Sequence, residues 1–311
     1  MKDVASISLP QTTPSLSAYK QPVFEWMRGA DGEELALRVW RGTKGMPSLL
    51  YLHGIEGHGE WFAHTAAVLN QCGMSVYVPD RRGAGLNEKA RGHMRNHKNV
   101  LHDVELLLRR IGKEHDGENV ILFGNCWGAK AASIIASTGY KTTDGQPLGV
   151  SLAGLILTCP ALFTLVDLQI LEKVQIALDV LRGDPTYLRE TAIPIEPKMF
   201  TANQEFLDFV TADPLRLKTA TSKFYFENFL LSLKAAAVAP RLHLPLLLIQ
   251  SGDDQIVNVP KVMSWFDRVP QGGKSLKMFP DALHSIDFES LSFQQYTESV
   301  VAWISQLAVT A

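Results

Sequence analysis

The feature that most restricts how this chain can fold is an abrupt change of pattern at residue 126. Val120-Ile-Leu-Phe-Gly-Asn-Cys126-Trp-Gly-Ala-Lys-Ala-Ala-Ser-Ile-Ile joins a short apolar run to an alanine-rich, helix-forming run through Gly-x-Cys-x-Gly. A strand that turns directly into a helix presents the side chain at the tip of the turn, and small flanking residues are needed because neighbouring backbones crowd it. Cys126 is the side chain so presented. A free cysteine is otherwise among the most buried residue types, so a chemical role depends on partners supplied from elsewhere.

The surrounding sequence repeats the strand-then-helix theme. Glu34 to Trp40 alternates apolar and polar residues, Ser48-Leu-Leu-Tyr-Leu-His53 and Ser75-Val-Tyr-Val-Pro79 are short buried-strand runs, and Glu60 to Cys72 has helical spacing. A helix from about Asn99 to Glu114, the strand before Cys126, the helix after it and the strand Gly154 to Thr158 continue the series. Such alternation predicts a mostly parallel sheet covered on both faces.

The pattern breaks from Leu162 to Pro240, where helical spacing dominates over Leu165–Leu181, Gln204–Val210 and Thr219–Val238. Strands return at Leu244 to Gln250 and Ser275 to Phe279, and Phe288 to Leu307 reads as a closing amphipathic helix. The organisation predicted is therefore an N-terminal leader over 1–22, a core over 23–161 and 241–311, and a helical insertion over 162–240. Leu165, Leu168, Leu171, Val174, Leu178 and Leu181 give the first inserted helix an apolar face expected mainly to pack the insertion.

The 311 residues are 46% hydrophobic and 20% charged with a net charge of −2, enough for one large core. Near-neutral charge without a basic stripe argues against nucleic acid, and no apolar run approaches the roughly 20 residues that span a bilayer. The polar N-terminus lacks the apolar stretch of a signal peptide, and Cys72, Cys126 and Cys159 form no Cys-x-x-Cys pair, so a cytoplasmic location is expected. Gly83-Ala-Gly85 and Gly273-Lys-Ser lack the remaining glycines of phosphate-binding loops, so no cofactor is implied.

A nucleophile on a central strand requires an acid after a later strand and a histidine after the last. Ile249-Gln-Ser-Gly-Asp253-Asp254-Gln-Ile-Val offers two acids in the first position, and Phe279-Pro-Asp-Ala-Leu-His284 supplies the second. Imidazole, with an ordinary pKa near 6.5, can take the thiol proton and return it to a leaving group. Asp254 is preferred over Asp253 as its orienting acid, because Asp254 is followed by x-Ile-Val, an apolar pair able to anchor the loop. Asp253 is the fallback, and a solvated Gly-Asp-Asp turn is the bland alternative.

Acyl transfer also needs donors for an oxyanion. Leu49 to Leu52 runs into His53-Gly-Ile-Glu-Gly-His-Gly, so the backbone amides of Ile55 and of Trp127, the residue after the nucleophile, are the expected pair. Neither His53, His58 and His64 nor His93, His97 and His102 brings a carboxylate or cysteine pattern of known ligand spacing, so no metal site is assigned. Lys130 reads mainly as an exposed helix residue, with a lesser reading in which it adds positive potential near Cys126.

His53-Gly-Ile-Glu-Gly-His-Gly-Glu-Trp, Val78-Pro-Asp-Arg-Arg-Gly-Ala-Gly-Leu-Asn87, the Gly-x-Cys-x-Gly turn, Gly252-Asp-Asp-Gln-Ile-Val and the His284 loop together resemble the α/β-hydrolase superfamily, from about Glu33 to Leu307. The branch they resemble is the monoacylglycerol-lipase-like or serine-aminopeptidase-like one. The resemblance implies an α/β-hydrolase fold with about eight strands, a helical lid inserted after the sixth, and ester or acyl chemistry without a cofactor. Serine stands at the turn in that branch. Cysteine there is similar to dienelactone hydrolases and to thioesterase-like Dieckmann cyclases.

Thiolate is a good leaving group, which suits thioesters and activated esters better than ordinary esters or amides. The reading is thus a Cys126-His284-Asp254 acyl hydrolase or acyltransferase for a hydrophobic small-molecule acyl substrate, free or carried on coenzyme A or a carrier protein. Two alternatives stand beside it. One is a Dieckmann-type cyclase releasing a cyclised product, and the other is a non-catalytic ligand-binding protein on the same scaffold.

Overall fold

The short Leu-, Ile- and Val-rich runs of the sequence become strands buried on both faces. The computed structural model describes residues 20–116, 120–139, 141–182 and 189–309, so residues 1–19 of the expected leader lie outside it. Its strands are β1 (Val23–Arg28), β2 (Glu34–Trp40), β3 (Ser48–Leu52), β4 (Ser75–Pro79), β5 (Val120–Asn125), β6 (Leu152–Thr158), β7 (Glu190–Ala192), β8 (Thr219–Thr221), β9 (Leu246–Ser251) and β10 (Lys274–Phe279). Eight of them form one sheet in the order β1-β2-β4-β3-β5-β6-β9-β10, and β7 pairs only with β8. The β1–β2 and β2–β4 pairs are antiparallel and the rest of the sheet is parallel.

The helices are α1 (Ala63–Gln71), α2 (His97–Glu114), α3 (Gly128–Ala136), α4 (Ile170–Arg182), α5 (Gln204–Ala212), α6 (Ser222–Ala237), α7 (Val259–Asp267) and α8 (Phe293–Val309). The two-residue period of the strands divides the core. Leu50, Leu122, Leu155 and Leu248 face a layer containing Leu101, Leu108, Ala132 and Trp265. Leu49, Ile121, Ile156 and Ile249 face the opposite layer, with Phe62, Leu69, Tyr296 and Trp303. Helices on both faces explain why these strands read as continuous apolar runs rather than alternating ones.

Between β6 and β9 the chain leaves the sheet to make α4, β7, α5, β8 and α6. Two expectations are corrected here. The helix expected over Thr219–Val238 begins at Ser222, because Thr219–Thr221 pairs with β7 and the Thr221 hydroxyl caps the helix by accepting from the Phe224 N–H at 3.2 Å. The helix expected from Leu165 begins at Ile170, and its leucine face is not packed: Leu171 and Leu181 are 78% and 82% exposed. Ile176 and Asp179 are the buried positions of α4 instead, since the helix rests on α6 by another side. Three elements carried no clear signal: the edge strand β1, the short strand β7, and α7, which starts at Val259 after the Asn258 cap, whose side chain accepts from the Lys261 N–H. Among the described residues no helix is long and apolar enough to cross a membrane.

Candidate active site

β5 and α3 meet at Cys126, whose φ is +50°, a left-handed conformation that costs a side-chain-bearing residue energy. The turn is held by Cys126 N–H donating to the Thr158 carbonyl at 3.0 Å, and by Ala161 N–H donating to the Cys126 carbonyl at 3.0 Å. The glycines on either side answer to crowding. A Cβ at Gly124 would sit 2.6 Å from the Ala129 backbone, and one at Gly128 would overlap the Leu52 carbonyl of β3.

His284 arrives on the loop after β10 and Asp254 on the loop after β9, and both are buried. Nδ1 of His284 donates to Asp254 at 2.9 and 3.0 Å to the two carboxylate oxygens. The backbone amides of Ile256 and Val257 each donate to Oδ1 of Asp254 at 2.9 Å, so the Ile-Val pair steadies the acid through its main chain. Burial opposes the charge on Asp254, but His284 and these amides outweigh it and hold the carboxyl below the ordinary range. Burial likewise opposes charge on His284, yet Asp254 and then Cys126 raise its pKa well above that of free imidazole. Nε2 of His284 is buried and has no hydrogen-bond partner within ordinary geometry among the described residues. Asp253, the fallback, is exposed.

Cys126, Ile55 and Trp127 border one cavity of about 650 Å³, whose apolar wall includes Leu162, Ile176 and Phe229, a size suited to a small-molecule ligand. Among the described residues neither the Ile55 nor the Trp127 N–H has an acceptor. Their surroundings are set by side chains that sequence pattern does not mark. Arg81 donates to the Ile55 carbonyl at 2.5 Å, and its guanidinium lies 4.9 Å from the Trp127 ring and 5.2 Å from that of Phe224. Burial, with Arg91 nearby, lowers Arg81 to about 9. Glu56 is bound by Arg216 of the insertion at 2.8 Å, and burial pushes its carboxyl up to about 7. The Val78–Asn87 segment is equally occupied: Asp80 accepts from Arg38 and from the Gly59 and Leu86 amides. Arg81 and Arg216 were the kind of residue sequence reasoning misses, because their acceptors lie 26 and 160 positions away.

The histidines of the first group are each engaged separately. His53 Nε2 accepts from the Arg81 N–H, His58 pairs with Asp213 at 2.8 Å, and His64 donates to the Asp287 carbonyl. Burial lowers His53 to about 3, with Arg81 adding to the effect, and burial lowers His64 to about 4. The ligand-type atoms of Cys159, Asp254 and His284 lie within 4.8 Å of one another, but two of the three already serve the His284–Asp254 pair. Lys130 corrects the expectation of an exposed residue. It is 3% exposed and donates to Asn228 on α6 at 2.7 Å, because the insertion closes over the first turns of α3.

The strained strand-to-helix turn after β5 thus stands beside a histidine–aspartate pair on the loops after β9 and β10, the last two strands of the chain, with the insertion between β6 and β9 over them. Residues 46–290 match the family described as Serine aminopeptidase, S33. The chain belongs to this family. Its fold is the α/β-hydrolase fold. A monoglyceride lipase of Rattus norvegicus is 25% identical over 313 residues, covering 98% of this chain and 97% of its own. An uncharacterized abhydrolase domain-containing protein of Dictyostelium discoideum is 23% identical over 89% of this chain, which spans only 28% of that relative's length. A soluble variant of monoglyceride lipase from Saccharomyces cerevisiae, solved with a substrate analog, superposes with a TM-score of 0.80 at 17% identity, covering 95% of this chain and 98% of its own.

Proposed function

We propose that this hydrolase is a cysteine-dependent acyl hydrolase or acyltransferase that works through an acyl-Cys126 intermediate on a hydrophobic thioester or activated ester. The observation that carries the reading is Cys126 itself, at φ +50° on the elbow, bordering the 650 Å³ cavity together with Ile55 and Trp127, the residues whose amides are expected to hold an oxyanion.

The raised pKa of His284, owed first to Asp254 and then to Cys126, supports its part as the proton acceptor for the sulfur. An imidazolium steadied by Asp254 is the partner a thiolate needs before substrate arrives. In the first half-reaction His284 takes the thiol proton, the sulfur attacks the carbonyl carbon, and the new C–O⁻ is met by the Ile55 and Trp127 amides. Collapse of that adduct breaks the bond to the leaving thiol or alcohol, which leaves with the proton from His284. In the second half-reaction water or another acceptor gives its proton to His284 and attacks the thioester, releasing the acyl group and restoring the thiol. Asp254 remains ionised throughout.

The acyl donor is proposed to be a small molecule, free or attached to coenzyme A or a carrier protein. Incubation with short acyl thioesters, followed by intact-mass measurement, tests the proposal: an acyl adduct on the wild-type protein that disappears in Cys126→Ala supports it. An adduct unchanged in Cys126→Ala, or none with any thioester or aryl ester, overturns it.

A further inference from the structure

The cavity beside Cys126 is apolar over most of its wall, yet Lys130 lies on its lining with 3% exposure. A buried ammonium is costly unless an anion or several acceptors compensate it. Among the described residues no carboxylate lies within ion-pair distance of Lys130, and its side-chain partner is the neutral Oδ1 of Asn228 at 2.7 Å, shared with the Trp127 indole N–H at 2.7 Å. An ammonium has three N–H donors, so the single bond to Asn228 leaves capacity directed to a ligand. Burial holds Lys130 down at about 8, and the opposing effect is the charge of Cys126.

The other charged groups around it are already used. Asp167 and Lys173, also on the lining, pair with each other. On α6, Glu227 is bound by Lys223 and His97, and Lys234 by His97. Arg81 is committed to the Ile55 carbonyl, and the Tyr225 hydroxyl to the Ala192 carbonyl. The titratable group left near Lys130 is the thiol of Cys126.

We infer that Lys130 recognises a carboxylate of the substrate, held in this cavity about one helical turn from the reacting sulfur. The inference rests on the acyl-transfer reading above and specifies its substrate. A single buried lysine matches one negative charge, whereas a phosphate dianion calls for several donors or an arginine fork. The carboxylate can belong to the acyl chain or to the leaving thiol, and paired substrates distinguish these sources. Saturation of Lys130 by the ligand supplies the missing counter-charge and keeps the lysine protonated to higher pH.

The test compares S-adipyl-N-acetylcysteamine with its methyl ester, and S-hexanoyl-3-mercaptopropionate with its methyl ester, by kcat/KM. One carboxylate member should exceed its neutral ester at least tenfold at pH 6.5. That ratio should fall as pH rises through about 8, because the effects of Cys126 and His284 are common to both members and cancel. In Lys130→Met the ratio should drop to about one. Calorimetry of adipamic acid against adipamide gives a reading independent of turnover, with tighter binding of the acid below pH 8 expected. Ratios near one in both pairs with equal binding of acid and amide overturn the inference, as does a Lys130→Met variant that slows anionic and neutral substrates alike. Failure of every thioester to acylate Cys126 sinks the proposed function instead, and the calorimetry then decides on Lys130.

Discussion

Nδ1 of His284 is bonded to both carboxylate oxygens of Asp254, at 2.9 and 3.0 Å, which commits that nitrogen as a donor and leaves Nε2 as the atom for the proposed proton transfer. Asp254→Asn removes the charge that raises the His284 pKa and disturbs the tautomer. Acylation by a short thioester should slow by roughly 10²- to 10⁴-fold. The imidazolium is then lost at lower pH, so the alkaline limb of the acylation pH profile should move downward. Asp253→Asn, at an exposed position, should change the rate less than about twofold. Stopped-flow acylation of the two variants separates them, and equal effects would reject Asp254 as the orienting acid.

Cys126 adopts a conformation that favours glycine. Cys126→Gly should therefore be more stable than Cys126→Ala by about 1 kcal/mol, even though both abolish the sulfur. Denaturant midpoints of the two variants measure the difference. An alanine variant at least as stable as the glycine one would mean that the elbow carries no strain.

Asp287 is buried near His284, and burial raises its carboxyl to about 7, with Thr65 Oγ1 a weak donor at 3.5 Å. A folded pKa above the unfolded one contributes stability that is complete below about pH 4 and is lost as pH climbs to about 7. Asp287→Asn removes that loss. Relative to wild type, the variant should gain about 4 kcal/mol between pH 4 and pH 8, about 1.4 kcal/mol for each unit by which the carboxyl is raised. Urea unfolding at the two pH values reads this directly, and a parallel pair of stability profiles would show that Asp287 does not titrate in this interval.

The sequence was most readable where short-range pattern decides structure. Val120 to Asn125 had to be a strand and Gly128 onward a helix, so Cys126 was fixed at their junction, and chain order then led to Asp254 and His284. Burial of Lys130 was illegible because it depends on Asn228, 98 positions later, folding back over α3. The leucine face of α4 misled for the opposite reason: periodicity reveals an apolar stripe but not whether anything covers it. β1 lacked a signal because an edge strand is only half enclosed, and its alternation is diluted by Glu25 and Arg28.

Long-range dependence also governs the loop that carries Ile55. Glu56 is 1% exposed, accepts from Arg216 through one carboxylate oxygen and has no partner for the other, while its backbone carbonyl accepts from the Leu217 N–H at 2.9 Å. The insertion thus grips the loop that carries Ile55 through a buried ion pair. Arg216→Met leaves the carboxylate unpaired, and a buried charge deprived of its partner costs roughly 3–5 kcal/mol. Burial raises the Glu56 pKa to about 7 even with Arg216 holding it down, so removal of Arg216 drives the carboxyl higher still. The destabilisation should therefore be large at pH 8 and small at pH 5, where Glu56 is protonated in either protein. Adding Glu56→Gln to Arg216→Met should recover most of the stability at pH 8, since a neutral amide no longer requires a cation. Acylation should stay depressed in the double variant if the Arg216 grip also sets the Ile55 amide, and thermal melts beside acylation rates would tell loop anchoring from charge balance alone.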